Sequence, residues 1–506
     1  MLNASPAPRS EGVRASSGFS ILLVALLVCL LAIDRQSFWM DELGTWQYVG
    51  VRGIGAWFRG FLAIRNSDGQ LPLYHFMAFG WSRLLGSSEL ALRSLNALLL
   101  IGAMAAIGWT RGVPRDLATR WALLLLCNCF LWAYLNEARP YVMLVAGSVF
   151  LTLALLRSWT MRAEPGACAM GPVALLFLTG ALLSFGASPI AAPYIAAYLV
   201  AILALLGWKG VAGLRRMGPG PMLYALACVA AACIVSALVL YSMAKGATPE
   251  TRNSTSVATM LFGVLEVMGA GGYVPGRDLL RVAGIHAIAA WQWALLATLC
   301  LAWAASFVAA LAGRYRRAAL ILVTVTGFSM LCVIGAGYGI GFRIVGRHFA
   351  FAVPPMMLVM AMGCEQAGSG RRWMAPAFAL LLLGSTALFR LDGAHRKDDT
   401  AAAAALVKAA QARGERSWWV GGYLVPLYFD VPTRSFASAA GAGRGAVKAE
   451  GRDDWARSME RLPRPDLILV ERPEVNDPNG AFARYAMRHG LSRRIAMRGY
   501  TAYRAP

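Results

Sequence analysis

Eleven stretches of the chain are apolar over close to the length that spans a bilayer, which takes about 20 residues of helix. They fall near residues 19–33, 89–109, 118–135, 140–156, 171–187, 190–208, 221–243, 286–312, 318–338, 347–364 and 373–390. A further stretch, Leu71 to Leu85, is shorter and carries Pro72, His75 and Arg83. Whether it crosses the membrane decides the orientation of everything after it. From about Asp392 the pattern changes. Ala401 to Ala412 predicts an alanine-rich helix, Ser417 to Val420 and Asp466 to Glu471 predict strands, and Tyr500 to Arg504 predicts a last one. The Gly- and Ala-rich piece 437–451 predicts a flexible excursion.

Composition makes the chain a polytopic membrane protein. Its 506 residues are 58% hydrophobic and only 15% charged, with a mean hydropathy of +0.54. The net charge of +22 does not point to nucleic acid, because Lys and Arg fall mostly in short clusters between apolar runs, where they act as topology signals. Those clusters decide the disputed stretch. With the amino terminus cytoplasmic and Leu71–Leu85 lying in the interface as an amphipathic helix, five clusters fall inside: Arg111/Arg115/Arg120, Arg157/Arg162, Lys209/Arg215/Arg216, Arg314/Arg316/Arg317 and Arg371/Arg372. If the stretch spans, all five move outside.

The expected organisation is therefore a cytoplasmic segment 1–18, a membrane domain 19–390 and an external α/β domain 391–506. The membrane domain carries an external first loop at 34–88 and a second at 244–281, whose apolar piece Val257 to Met268 reads as a partly inserted flap. All nine cysteines lie within or beside apolar runs, which argues against a disulfide framework, and no CxxC pair suggests a metal. The tail shows no compact catalytic constellation; a supporting or acceptor-handling role and a solubilising appendage both fit it.

Candidate chemistry sits just beyond the first apolar run, in Ser37-Phe38-Trp39-Met40-Asp41-Glu42-Leu43-Gly44-Thr45. A carboxylate in hydrocarbon costs about 2.5–3.5 kcal/mol on insertion scales, so acids in such chains sit at interfaces, line cavities or serve chemistry. From the stretch alone, a solvated loop with Trp39 as a headgroup anchor is the alternative. Glu137 and Arg139 stand at the outer end of the third run, followed by Pro140, where a structural ion pair is the alternative to a site.

Four pieces in order carry a resemblance: Trp39-Met40-Asp41-Glu42, Gln70-Leu71-Pro72-Leu73-Tyr74-His75, Gly86-Ser87-Ser88-Glu89-Leu90-Ala91-Leu92-Arg93, and Asn136-Glu137-Ala138-Arg139-Pro140-Tyr141. Together the pieces resemble the protein O-mannosyltransferase-like branch of the GT-C glycosyltransferases and are similar in plan to the lipid A aminoarabinose transferases. The likeness is good over residues 20–160 and mainly topological to 390. Where relatives commonly carry His-Pro-Pro-Leu or Lys-Pro-Pro-Leu, this chain has Gln70-Leu71-Pro72-Leu73, which leaves Gln70 as a neutral donor at best.

The resemblance implies a polytopic GT-C fold of about eleven transmembrane helices plus interfacial helices, with a small C-terminal α/β domain. It also implies transfer of a sugar, with inversion, from a polyprenyl-phosphate donor to an acceptor hydroxyl or phosphate at the external face of a bacterial inner membrane. An attacking hydroxyl must lose a proton, so a carboxylate serves as general base. Neighbouring residues do not share a face, so one acid can enter the site while the next holds the loop. The resemblance gives the base to Asp41 and support to Glu42, with Glu137 as a second acid.

The leaving phosphate calls for guanidinium groups. Arg93, Arg139, Arg343 and Arg347 with His348 are the candidates, and Tyr74 could touch phosphate or sugar. Arginines snorkelling to headgroups are the alternative for each of these. The expected partners are the lipid-linked donor, membrane lipid and an acceptor that is glycan, lipid or protein. No cofactor is expected, since Asp41-Glu42 could hold a divalent cation only with further ligands. A transporter or flippase for a lipid-linked sugar is the rival reading; it calls for an internal repeat or functional residues at mid-membrane, and neither is visible.

Overall fold

The computed structural model describes residues 11–64, 66–163, 170–212, 219–245, 256–276, 279–280, 283–341, 344–366, 373–435, 446–449, 459–460 and 462–506. The candidate Arg343 and the clusters Arg215/Arg216 and Arg371/Arg372 lie outside the described residues. Contacts divide the chain into two units. The first joins Met1–Asp34 to Tyr48–His395, and the second joins Arg35–Gln47 to Arg396–Pro506. The sequence reading placed the break at 390/391 and kept all of 34–88 with the membrane domain. By contact, the segment carrying Asp41 and Glu42 groups instead with the tail.

The first unit is helical throughout. Its helices are α1 (Glu11–Ala32), α2 (Met40–Val49, shared with the second unit), α3 (Ile54–Leu62), α4 (Pro72–Leu85), α5 (Glu89–Trp109), α6 (Arg115–Cys127), α7 (Cys129–Leu135) and α8 (Tyr141–Ala163). They continue as α9 (Gly171–Ala187), α10 (Ala192–Ala212), α11 (Pro219–Ala244), α12 (Val257–Val267), α13 (Ala290–Ala312), α14 (Arg316–Ile340), α15 (Val353–Gln366) and α16 (Met374–Leu391).

Among the described residues, eight helices are long and apolar enough to cross a membrane, and the pair α6–α7, bent by 62°, makes a ninth. The other two expected runs form shorter apolar helices, Gly18–Ala32 and Gly171–Ala187, which are not among the candidate spans. The bend has a cause. Asn128 ends α6 and caps α7, its Oδ1 accepting the Phe130 N–H at 2.8 Å while its Nδ2 donates to the Val267 carbonyl at 3.1 Å.

α1 and α5 run antiparallel. Gly18, near the start of α1, faces Trp109 at the end of α5, and Asp34, just past α1, meets Arg93 one turn into α5. The segment between them therefore leaves and returns at the same end of the bundle. α4 lies within that excursion and is not among the candidate spans. Local chemistry explains the junction: Gly86 ends α4 at φ 87°, and Ser88 caps α5 by accepting from the Ala91 N–H at 3.4 Å.

At the opposite end, Arg157 donates to the Arg111 carbonyl at 3.1 Å. In a separate cluster of basic residues, Glu365 binds Arg120 at 3.5 Å, Tyr315 at 3.1 Å and Arg314.

The second unit is a small α/β domain. After α17 (Thr400–Ala412) come β1 (Ser417–Val420), α18 (Leu424–Tyr428), β2 (Thr433–Ser435), β3 (Ala446–Ala449), β4 (Leu467–Glu471), α19 (Pro473–Asn476), α20 (Ala481–Arg488), β5 (Arg493–Met497) and β6 (Tyr500–Arg504). The sheet order is β2-β3-β1-β4-β6-β5. β2, β3, β1 and β4 are parallel, whereas β6 is antiparallel to β4 and β5. All five residues of β4 are buried, as a strand covered on both faces requires. The helix and the three strands expected from sequence are present. The expected excursion 437–451 contains β3, paired with β1; the rest of that piece lies outside the described residues.

In the first unit, α8 and α9 cross at a small-residue contact. A Cβ on Gly180 would stand 2.7 Å from the Gly147 carbonyl oxygen and 2.8 Å from the Leu151 nitrogen, both backbone atoms. Close crossings of this kind let helices pack where lipid supplies no hydrophobic drive. Gly180→Val should therefore lower the unfolding midpoint of the purified protein in detergent, by roughly 1–3 kcal/mol of overpacking. A variant that melts with the wild type would show that the crossing yields without cost.

Candidate active site

In the first unit the polar side chains gather on helix ends. Asp34 takes hydrogen bonds from Asn136, whose Nδ2 donates to Oδ1 at 2.9 Å, and its own N–H donates to Asn136 Oδ1 at 3.0 Å. Arg390, in the last turn of α16, stands 3.2 Å from Oδ2, and Arg93 donates to the Asp34 carbonyl at 2.8 Å with its guanidinium 3.8 Å from the carboxylate. Arg93 is fully buried. The ends of α1, α5, α7 and α16 thus meet on one carboxylate.

The turn after α7 is held from α5: Asn96 Nδ2 donates to the carbonyls of Tyr134, at 3.2 Å, and Glu137. Pro140 then lets α8 begin. Glu137 and Arg139 are both buried in this turn, and Arg139 pairs with Asp68 at 2.8 Å. Asp68 belongs to a short turn that Asn66 caps ahead of α4.

Tyr74 and His75 open α4 and are fully buried, with their ring centroids 6.1 Å apart. Burial pushes the His75 imidazole down to about 4, opposed by the negative charge of Asp68. His75 is therefore neutral at ordinary pH. A second line of contacts runs from Glu266, which accepts from Tyr134 Oη at 2.8 Å, through the Tyr134 and Tyr141 rings 4.8 Å apart, to Arg347 lying 5.5 Å over Tyr141. His348 accepts the Val345 N–H at its Nδ1, 3.2 Å away. The first unit thus ties Arg93, Glu137 and Arg139 to one region through Asp34, Asn136 and Asn96, and holds Arg347 on a neighbouring aromatic pair.

The second unit holds the acidic pair, and the two acids have different surroundings. Glu42, the third residue of α2, is fully buried; its carboxylate accepts the Trp39 N–H at 3.2 Å and pairs with Lys397 Nζ at 2.5 Å. The first of these is half of a capping box. Asp41, one position earlier, is partly exposed. The segment is fastened further by the Lys397 N–H on Gln36, by Thr400 on the Phe38 carbonyl, and by the rings of Phe38 and Trp46 against Tyr428.

Beside it Arg472 makes two hydrogen bonds to Asp398, at 3.0 and 2.7 Å, and lies 5.7 Å over the Trp39 ring. Glu471 is buried and accepts the Gly422 N–H at 2.9 Å. Among the described residues no three His, Cys, Asp or Glu side chains come together as metal ligands.

Sequence reasoning singled out Asp41, Glu42, Glu137 and the arginines but not their counter-charges. Asp34, Asp68, Arg390, Lys397, Asp398 and Arg472 were missed, and the tail, read as lacking a constellation, contains several of them. The only signal was Lys397-Asp398-Asp399, a charge run directly after the last span.

Among the described residues, eight or nine candidate spans, two shorter apolar helices and a small α/β domain make the GT-C type of fold expected from the sequence. Among solved structures the chain is similar to ArnT from Cupriavidus metallidurans bound to undecaprenyl phosphate, with a TM-score of 0.52 and 12% identity over 96% of this chain and 97% of that one. It is also similar to ArnT from the same organism in the apo state, with a TM-score of 0.45 and 14% identity over 97% and 98%. Arabinosyltransferase EmbB from Mycobacterium smegmatis matches with a TM-score of 0.38 and 14% identity over 71% of this chain and 31% of its own. At such identities the likeness is one of fold. The sequence matches no protein-family model and no curated protein.

Glu471 gives the second unit a pH dependence. Burial pushes its carboxyl up from 4.5 to about 7, against the pull of the Gly422 N–H and Arg472. An acid raised in the folded state favours folding fully below its unfolded value, and that contribution is lost as pH climbs through the folded one. The wild-type unfolding midpoint should therefore fall between those two values. Glu471→Gln should stay level across the same interval and exceed wild type above it, by an amount of order 3 kcal/mol. Parallel curves for the two proteins would mean that Glu471 is already ionised when buried.

Proposed function

We propose that the protein is a membrane glycosyltransferase that moves a sugar from a polyprenyl-phosphate donor to an acceptor hydroxyl or phosphate. The observation that carries this reading is the fold likeness, over nearly the whole chain, to a protein crystallised with undecaprenyl phosphate. The residue chemistry supports it. A hydroxyl acceptor attacks the anomeric carbon from the face opposite the phosphate and its proton passes to Asp41 as the bond to phosphate breaks; an ionised phosphate acceptor attacks in the same way with no proton to give up. The configuration inverts and polyprenyl phosphate leaves.

Asp41 suits the base because it is partly exposed, while Glu42 is buried and committed to Lys397. Arg139 on Asp68, Arg347 over Tyr141 and Arg93 on Asp34 are the groups assigned the positive charge that the departing phosphate requires. Glu137 is the second acid, and Tyr74 contacts phosphate or sugar. No metal ligand set is assigned. The donor tail lies in membrane lipid, and the acceptor is a glycan, a lipid or a protein.

The same reading places the reaction and the C-terminal domain on the external face of a bacterial inner membrane, supported by the basic residues Arg120 and Arg314 clustered at the bundle end opposite Asp34. A reporter fused at residue 506 should report from outside; a cytoplasmic signal overturns the orientation.

For the chemistry, membranes carrying wild type or Asp41→Asn are offered labelled polyprenyl-phosphate sugars, and free polyprenyl phosphate is measured. Wild type should release it from one donor, and Asp41→Asn should be slower by about 100- to 10,000-fold, the range for loss of a general base. Equal release by both removes Asp41 from the mechanism. No release from any donor removes the glycosyltransferase reading.

A further inference from the structure

In the second unit the strand order reverses at β1, with β2 and β3 on one side and β4 on the other. In open α/β sheets the crevice beyond the carboxyl ends of the strands, at such a reversal, is where a ligand sits. Gly421 and Gly422 follow β1 there, and Glu471 and Arg472 end and follow β4. The chain's own acidic segment occupies that place. A Cβ on Gly422 would stand 2.5 Å from Met40 Cε, and Arg472 lies over Trp39. Asp398 grips the Arg472 guanidinium at two nitrogens, so its orientation is set, and its charge acts on Asp41. Lys397, next in the chain to Asp398, holds Glu42.

We propose that this crevice is the seat of the acidic segment and that Arg472 is a positioning residue for Asp41, so that the C-terminal domain holds the general base in register for the reaction. The inference rests on the reading of Asp41 as that base. It assigns the domain a part in turnover, in place of acceptor handling or solubility.

Replacing Arg472 by Gln removes the charge and the two-pronged contact with Asp398. The expected result is a fall in kcat for polyprenyl phosphate release of about 100-fold, the scale of a displacement of about 1 Å at the reacting group. The donor KM should not change, because Arg472 is not among the residues proposed to bind the donor phosphate. Arg472→Lys should recover part of the loss. Gly422→Ala, which presses on Met40, should lower kcat too, and Gly422→Ala with Met40→Ala should restore it. Wild-type kcat in Arg472→Gln, a loss carried in KM, or a double variant no better than Gly422→Ala overturns the proposal.

A second readout does not depend on turnover. Thr45 is fully buried, so Thr45→Cys should react slowly with a membrane-impermeant maleimide, and faster once Arg472→Gln or Gly422→Ala is added. If the wild type releases polyprenyl phosphate from no donor, the glycosyltransferase reading fails on its own and the labelling still decides: unchanged reactivity in both variants overturns the crevice as the seat.

Discussion

A carboxylate among apolar helices costs several kcal/mol unless opposite charge and hydrogen bonds surround it. Asp34, partly exposed just past the end of α1, meets that constraint with Arg93, Arg390 and Asn136, which belong to three different helix ends. The register of α1 against α5, α7 and α16 is therefore set by charge as well as by packing. The turn carrying Glu137 and Arg139 inherits its position from the same arrangement, since Asn136 binds Asp34 and Asn96 binds the turn from α5.

The second unit answers the same constraint differently. Glu42 and Asp41 are adjacent, yet one closes a capping box and pairs with Lys397 in the interior while the other stays partly in water. Consecutive side chains on a helix point to different surroundings, so an acidic pair divides into an anchor and a group left for chemistry. The two neighbouring charged residues of the tail serve in sequence, Lys397 on Glu42 and Asp398 on Arg472.

Much of the fold was legible because hydropathy over a span is a strong signal: nine of the eleven runs are candidate spans, one of them bent at Asn128, and the other two are shorter apolar helices. The excursion of α4 was legible from charge, since only one placement puts the basic clusters on the cytoplasmic side that the positive-inside rule requires. β3 was hidden because Ala446–Ala449 sits in a Gly- and Ala-rich piece without the β-branched run that marks a strand, and pairing with β1 supplies what local propensity lacks.

The partners of the site residues were hidden for a different reason. Glu42 and Lys397 are 355 residues apart, and no local pattern records a pair brought together only by the folded chain. The acids and arginines stood out by type and by order along the chain; which of them neutralise one another emerges only in three dimensions.

The meeting of helix ends on Asp34 also bears on how the protein is made. Arg390 binds both the Asp34 carboxylate and the carbonyl of Leu31, the latter across 359 residues of chain. During synthesis the first helix enters the bilayer long before its last counter-charge exists. Closure of the bundle is thus a late event of translation. A chain cut short before α16 has Arg93 but not Arg390 for Asp34, so the end of its first helix is held by one cation where the finished protein has two.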